Sequence, residues 1–278
     1  MNNNCIWHEK FKNNIYSKQR DFFSFCDAVF IITVKNDKYI NNQKNMSKLI
    51  NTLGCDNKTY WIYSKGYKKC NRKSQEEDIA FSTKYICNFA LKNNFDNILI
   101  LEDDCYLYGN LWEDYENKKK NVLEVIKQNK SNPMIFHFGY FPIYYKNINK
   151  YIRKGGFGNA HCVMYNKELC KKFINIYDTI LKLHLNIDFY YFFGIFGIKN
   201  YALRLNNLFF QENPKKARSV WYKIFNFVQK QFTGREYYQY DPLIVPYHEF
   251  FLNYYTIKFK LFFVIFLFYL FFKCQIKI

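Results

Sequence analysis

Asn97-Ile98-Leu99-Ile100-Leu101-Glu102-Asp103-Asp104-Cys105-Tyr106 is the stretch on which the fold turns. Four aliphatic residues in a row predict a strand buried on both faces, the pattern of an inner strand in a parallel sheet. Three carboxylates follow at once. Burying an acidic triplet at the carboxyl end of such a strand is costly unless a cation offsets it. That end is also where open α/β sheets form their ligand crevice. A divalent metal with a phosphate behind it accounts for both facts, and oxygen ligands suit Mg²⁺ or Mn²⁺. Taken alone, the triplet reads slightly better as an acidic turn after a core strand. Its neighbours change that balance.

Upstream, Asp27–Val34 is β-branched and predicts a first buried strand. Tyr39–Leu53 carries apolar residues at helical spacing, and Gly54 supplies the stop. Thr59–Tyr63 predicts a second strand, with Ser64-Lys65-Gly66 as its exit. A β-α-β opening requires parallel strands and a right-handed crossover. Ser74 with Glu77 three residues on fits a capping box, which starts a helix running to about Lys92. The acidic strand follows.

Downstream, Trp112–Gln128 predicts a helix and Pro133–Gly139 a strand. Gly155-Gly156-Phe157-Gly158 reads as a flexible loop into a short strand, Asn159–Tyr165. It is too irregular for a dinucleotide fingerprint. Asn166 caps a helix with Leu169, Phe173, Ile176 and Ile180 on one face. Tyr201–Leu205 is a late strand. No internal repeat is visible.

The chain of 278 residues has 22% aromatic content, ample for a core, and a formal charge of +18. Such a charge ordinarily points to nucleic acid or an anionic membrane. Here the lysines are scattered, and Lys, Asn, Ile, Phe and Tyr are enriched together, as A/T-rich codons dictate. No nucleic-acid partner is expected. Nine cysteines show no Cys-x-x-Cys pair, so a structural zinc site is not expected. No apolar signal segment follows Met1, and free thiols in a reducing compartment are the expectation. Leu261–Phe272 is an unbroken apolar run between Lys260 and Lys273. A tail anchor or interfacial helix over 250–278 is expected, ahead of a hydrophobic element docked on the domain.

Together these segments resemble glycosyltransferase family 25, the group of lipopolysaccharide and procollagen galactosyltransferases with relatives in large DNA viruses. The resemblance covers roughly Asp27 to Ser219. Val29–Ile32 is similar to the family's opening strand, and Ile98–Asp104 to its Leu-Glu-Asp-Asp signature. Phe136–Gly139 is similar to its next strand, and Ala160–Leu169 to its strand, turn and helix with a His-Ala-Tyr type motif. Asn186-Ile187-Asp188 resembles its Pro-x-Asp, and Leu208–Gln211 with Ser219 its closing Gln-to-Ser segment. The chain departs from the family at Thr83, where a His often follows Ser82, and at Asn186, where Pro is usual.

The resemblance implies a GT-A type α/β fold, a mostly parallel sheet flanked by helices with a hydrophobic C-terminal extension. The expected organisation is a lead-in over 1–24, the glycosyltransferase domain over 25–220, an aromatic-rich extension over 221–249 and the tail over 250–278. The implied activity is metal-dependent, inverting transfer of a hexose from a nucleotide sugar, most simply a UDP-sugar, to a hydroxyl of a glycan, lipid or protein. With a C-terminal anchor, the domain would face the cytosol. Strand alternation puts Glu102 and Asp104 on one side as the metal pair and turns Asp103 toward the nucleotide. Thr33 and Lys35, at the exit of strand one, are expected beside the base and ribose. Asp188 is the general base by motif, and equally a helix N-cap by its setting. His161 either orients acceptor or phosphate, or is a core histidine. Lys65, His184 and His248 are weaker candidates. The rival expectation is a GT-A-fold binding or membrane-surface protein without turnover.

Overall fold

Strand β4 (Asn97–Glu102) is enclosed on both sides, and its aliphatic run divides evenly. Leu99 and Leu101 join one apolar cluster, while Ile98 and Ile100 join another. The computed structural model describes residues 5–12, 20–107, 112–182, 197–203 and 209–211. Asp188, His184, His248 and the 250–278 tail lie outside those residues. Among the described residues no helix is long and apolar enough to cross a membrane. By its contacts the chain divides into two units, Met1–Pro142 with Lys146–Glu212, and Ile143–Tyr145 with Asn213–Ile278.

Seven strands form the main sheet in the order β1-β3-β2-β4-β7-β6-β8. Strand β2 (Ala28–Val34) runs parallel to both β3 (Thr59–Ser64) and β4. Helix α1 (Ile40–Leu53) packs on one face of the sheet and α2 (Gln75–Lys92) on the other. That placement fits two right-handed crossovers that step in opposite directions, first to β3 and then back past β2 to β4. Gly54 ends α1 at φ +66°, and the Ser74 hydroxyl accepts from the Glu77 amide at 3.2 Å to start α2. In return, Glu77 accepts from the amide of Lys73.

The sheet is mixed, which corrects the expectation of a mostly parallel one. Strand β7 (Ile152–Asn166) runs antiparallel to β4 and to β8 (Lys199–Leu203), while β6 (Met134–Asn147) runs parallel to β8. Strands β6 and β7 are joined by a few residues, and so short a link reverses the chain direction. The Gly155–Gly158 loop expected from sequence is strand interior. Its glycines remain extended, and Phe157 between them is fully buried. The expected lead-in also contains structure, since β1 (Ile6–Lys10) pairs antiparallel with β3 as an edge strand. Cys5, next to it, is disulfide-bonded to Cys70, which corrects the expectation that all thiols are free.

Helix α3 (Tyr115–Gln128) lies on the α1 face, and α4 (Lys167–Lys182) packs against α2. The start of α4 depends on Asn166. Its side-chain carbonyl accepts from the Leu169 amide at 3.0 Å and the Met134 amide at 2.9 Å. Its amide nitrogen donates to the carbonyls of Asn129 and Asn132. One buried side chain thus caps α4 and ties it to β6 and to the end of α3. Asn166→Ala leaves a helix terminus and a buried strand amide unpaired, and is expected to cost about 2–4 kcal/mol in urea unfolding. Asn166→Asp keeps both accepted bonds, loses both donated ones, and should fall between.

Candidate active site

The exits of β2, β3 and β4 share the C-terminal edge of their parallel strands. The chains leaving β2 and β3 go to opposite faces, to α1 and α2, which is the topological condition for a ligand crevice at their exits. The last paired residues of β2 and β4 are Ile32 and Glu102. Thr33 and Asp103 come next, and the Thr33 hydroxyl donates to the Asp103 carboxylate. Asn42 in the first turn of α1 donates to the same carboxylate. Gln43 donates to the Thr33 hydroxyl at 3.3 Å and to the Val34 carbonyl at 3.4 Å. The first turn of α1 therefore closes over the strand ends and fixes Asp103. Burial pushes the Asp103 carboxyl above its usual range, and the bonds from Thr33 and Asn42 only partly offset that.

Glu102 and Asp104 are half-buried on either side of Asp103. Their charges act together on the buried thiol of Cys105, already pushed up by burial, while Asp103 engages Thr33 and Asn42. Among the described residues, no three His, Cys, Asp or Glu side chains gather as a metal cluster. Glu102 and Asp104 are of the chemical type that holds a hard cation. Mg²⁺ in particular is held by one or two carboxylates with substrate phosphate and water completing its shell.

Lys35 seats its ammonium 4.3 Å above the Tyr63 ring, and its amide donates to the Ser64 carbonyl at 2.8 Å. His161 sits on β7, one residue beyond the Leu101–Cys162 pair, and is 1% exposed. It lies near His137 of β6, whose protonation its charge disfavours. A short second sheet brings β9 (Phe209–Gln211) against β5 (Cys105–Leu107), with Gln211 opposite Cys105. Gln211 is thereby placed in register one residue past the acidic turn. Asn42 and Gln43 were missed from sequence. The usable signal was their position: polar residues in the first turn of a helix that follows a central strand face the strand's own exit.

No protein-family model matches the chain, and no curated protein does. Among solved structures, the chain is similar to a glycosyltransferase involved in the glycosylation of the major capsid of PBCV-1. That match has 14% identity and a TM-score of 0.32, over 55% of this chain and 66% of that one. It is also similar to A197 from STIV, at 14% identity and a TM-score of 0.34, over 69% of this chain and 96% of that one. Both likenesses are distant. The chain spans just under two thirds of the PBCV-1 glycosyltransferase's length. The resemblance to family 25 rests on the motif series in the sequence.

Proposed function

We propose that the chain is a metal-dependent inverting glycosyltransferase that moves a hexose from a nucleotide sugar, most simply a UDP-sugar, to a hydroxyl of a glycan, lipid or protein. The observation that carries this reading is the acidic turn at the C-terminal edge of β4, with Asp103 held by Thr33 and Asn42 and with Glu102 and Asp104 on either side of it. Glu102 and Asp104 would hold Mn²⁺ or Mg²⁺, which when bound supplies a Lewis acid for charge building on the departing diphosphate. Asp103, positioned before any ligand arrives, orients the donor's ribose or base through the hydrogen-bonding capacity that Thr33 and Asn42 leave it. Lys35 borders the same crevice. Asp188 takes the acceptor proton as general base. Residues 250–278 bring the domain to a membrane face on its cytosolic side.

A thermal-shift panel of nucleotide sugars with Mn²⁺ tests the reading. The correct donor at a hundredfold excess over its Kd adds about 2.7 kcal/mol to stability. A shift is expected for one uridine-diphosphate hexose, and it should vanish with EDTA and with the free hexose. Equal melting temperatures across the panel, with and without metal, would sink the reading and leave a binding protein without turnover.

A further inference from the structure

We infer that the Cys5–Cys70 pair is a reversible thiol–disulfide control on the donor side of the crevice. The regulatory consequence rests on the function proposed above, whereas the redox response of the loop does not. The bond joins the residue before edge strand β1 to the loop Lys65–Lys73 that leaves β3. That loop leaves β3 where the chains from β2 and β3 diverge to opposite faces.

The loop is coupled to the candidate site through few, short steps. Its first residues touch both strand exits. The Lys65 amide donates to the Cys5 carbonyl at 3.2 Å, and the Gly66 amide donates to the Ser64 hydroxyl at 2.8 Å. Gly66 adopts φ +86°, and a Cβ there would lie 3.4 Å from Val34 Cγ1. Ser64 in turn accepts from the Lys35 amide through its carbonyl and donates to Asp78 at 2.5 Å through its hydroxyl. At its far end, the loop is folded back by Cys70 N–H to Gly66 and by Arg72 N–H to Tyr67. The Arg72 guanidinium lies 3.7 Å over the Phe81 ring. The disulfide is thus the covalent hold on a loop otherwise secured by a handful of hydrogen bonds. One of those bonds reaches Ser64, whose carbonyl accepts from the Lys35 amide, and Gly66 comes close to Val34.

The same pair is also the chemically accessible one among the described cysteines. Cys26, Cys55, Cys87, Cys105, Cys162 and Cys170 are buried and in no disulfide. Burial pushes the thiols of Cys26, Cys87 and Cys162 well above their ordinary value, which suppresses the thiolate that reacts. Cys70 is only half-buried and Cys5 is buried, so an incoming thiolate reaches the Cys70 sulfur. A dithiol reductant attacks Cys70 Sγ and expels the Cys5 thiolate. Its second thiol then breaks the mixed disulfide and expels the Cys70 thiolate. Each thiolate takes a proton, and the reductant leaves as a disulfide. A low-molecular-weight disulfide such as oxidised glutathione runs the sequence backward, leaving as two thiols. In a reducing compartment the loop would be released, and in an oxidising one it would be fixed.

Amide hydrogen exchange on the full chain, oxidised and after dithiothreitol, tests this, with UDP–Mn²⁺ thermal shift read on the same samples. Reduction is expected to speed exchange in Lys65–Arg72 and at Lys35 by on the order of tenfold, and to shrink the UDP–Mn²⁺ shift. Cys70→Ser should behave as the reduced protein whether or not oxidant is present. Unchanged exchange in Lys65–Arg72 overturns the inference. A response confined to the loop, with Lys35 and the UDP shift unaltered, also overturns it and leaves a structural staple. If the loop and Lys35 respond but UDP–Mn²⁺ shifts neither form, the redox coupling stands and the proposed donor chemistry fails.

Discussion

Asp104→Ala is expected to lower donor turnover about a thousandfold while moving the melting temperature by less than about 4 °C. Stabilising a departing diphosphate through a metal contributes several kcal/mol, and each 1.36 kcal/mol is about tenfold in rate. Asp104 sits in a turn beyond the last β4 ladder residue, so its loss removes no sheet pairing. Asp103 makes the instructive contrast. Its half-buried carboxylate is destabilised there, yet it accepts from Thr33 and Asn42. Asp103→Asn retains an acceptor oxygen and removes a half-buried charge, so stability at neutral pH should hold or rise. Asp103→Ala leaves the Thr33 hydroxyl, only 2% exposed, without its acceptor, and should cost about 1–3 kcal/mol. Urea unfolding and donor turnover measured on all three variants separate a working carboxylate from a structural one. If Asp104→Ala turns over donor at the parent rate, Asp104 plays no part in catalysis.

Much of the frame that positions these residues was legible because hydrophobic period and punctuation agree locally. The run Ile98–Leu101, the Gly54 stop, the Ser74 cap and the Asn166 cap each declare an element boundary through backbone needs that a nearby side chain or glycine meets. What was not legible depends on partners distant in sequence. The direction of β7 is set by its short link to β6, and Gly155, Gly156 and Gly158 look like a loop until a neighbouring strand supplies the ladder. Strand β1 is short, and its burial falls from Ile6 to an exposed end, so no period-two signal marks it. Within the site, Thr33 and Asp103 were both nominated but not as partners. Their bond follows from the Ile32–Glu102 register, a quantity that sequence alone does not contain. The Cys5–Cys70 bond is of the same kind, 65 residues apart and joined because β1 folds back on β3.

The largest expected effect of pH on stability comes from His137, on β6 beside the edge strand β8. Its ring is fully buried on β6, 5.3 Å from the Phe157 ring and 6.4 Å from that of Tyr140. Burial drives its pKa from 6.5 down to about 3; the charge of His161 on β7 adds to this, and the Asn200 amide on β8 opposes it. A folded-state pKa below the unfolded one means that unfolded chains bind the proton first. Stability is therefore complete above about pH 6.5 and falls by about 1.4 kcal/mol per unit as acid takes the pH toward 3. Asp78 and Asp103 act with the opposite sign. Their raised carboxyl pKa values make a contribution that is present below the unfolded value of 3.8 and lost as pH rises through the folded values. They oppose His137 over the acid range in which they titrate. Between pH 6.5 and 4.5 the His137 contribution alone is about 2.3 kcal/mol, a large share of the roughly 5–15 kcal/mol that holds a domain together. His137→Met keeps an apolar side chain of similar bulk among the same aromatic rings and cannot be protonated. Urea unfolding at the two pH values should show the parent losing about 2.3 kcal/mol more than the variant. Parallel losses would mean that the acid lability is spread over other groups and that His137 titrates normally in the folded chain.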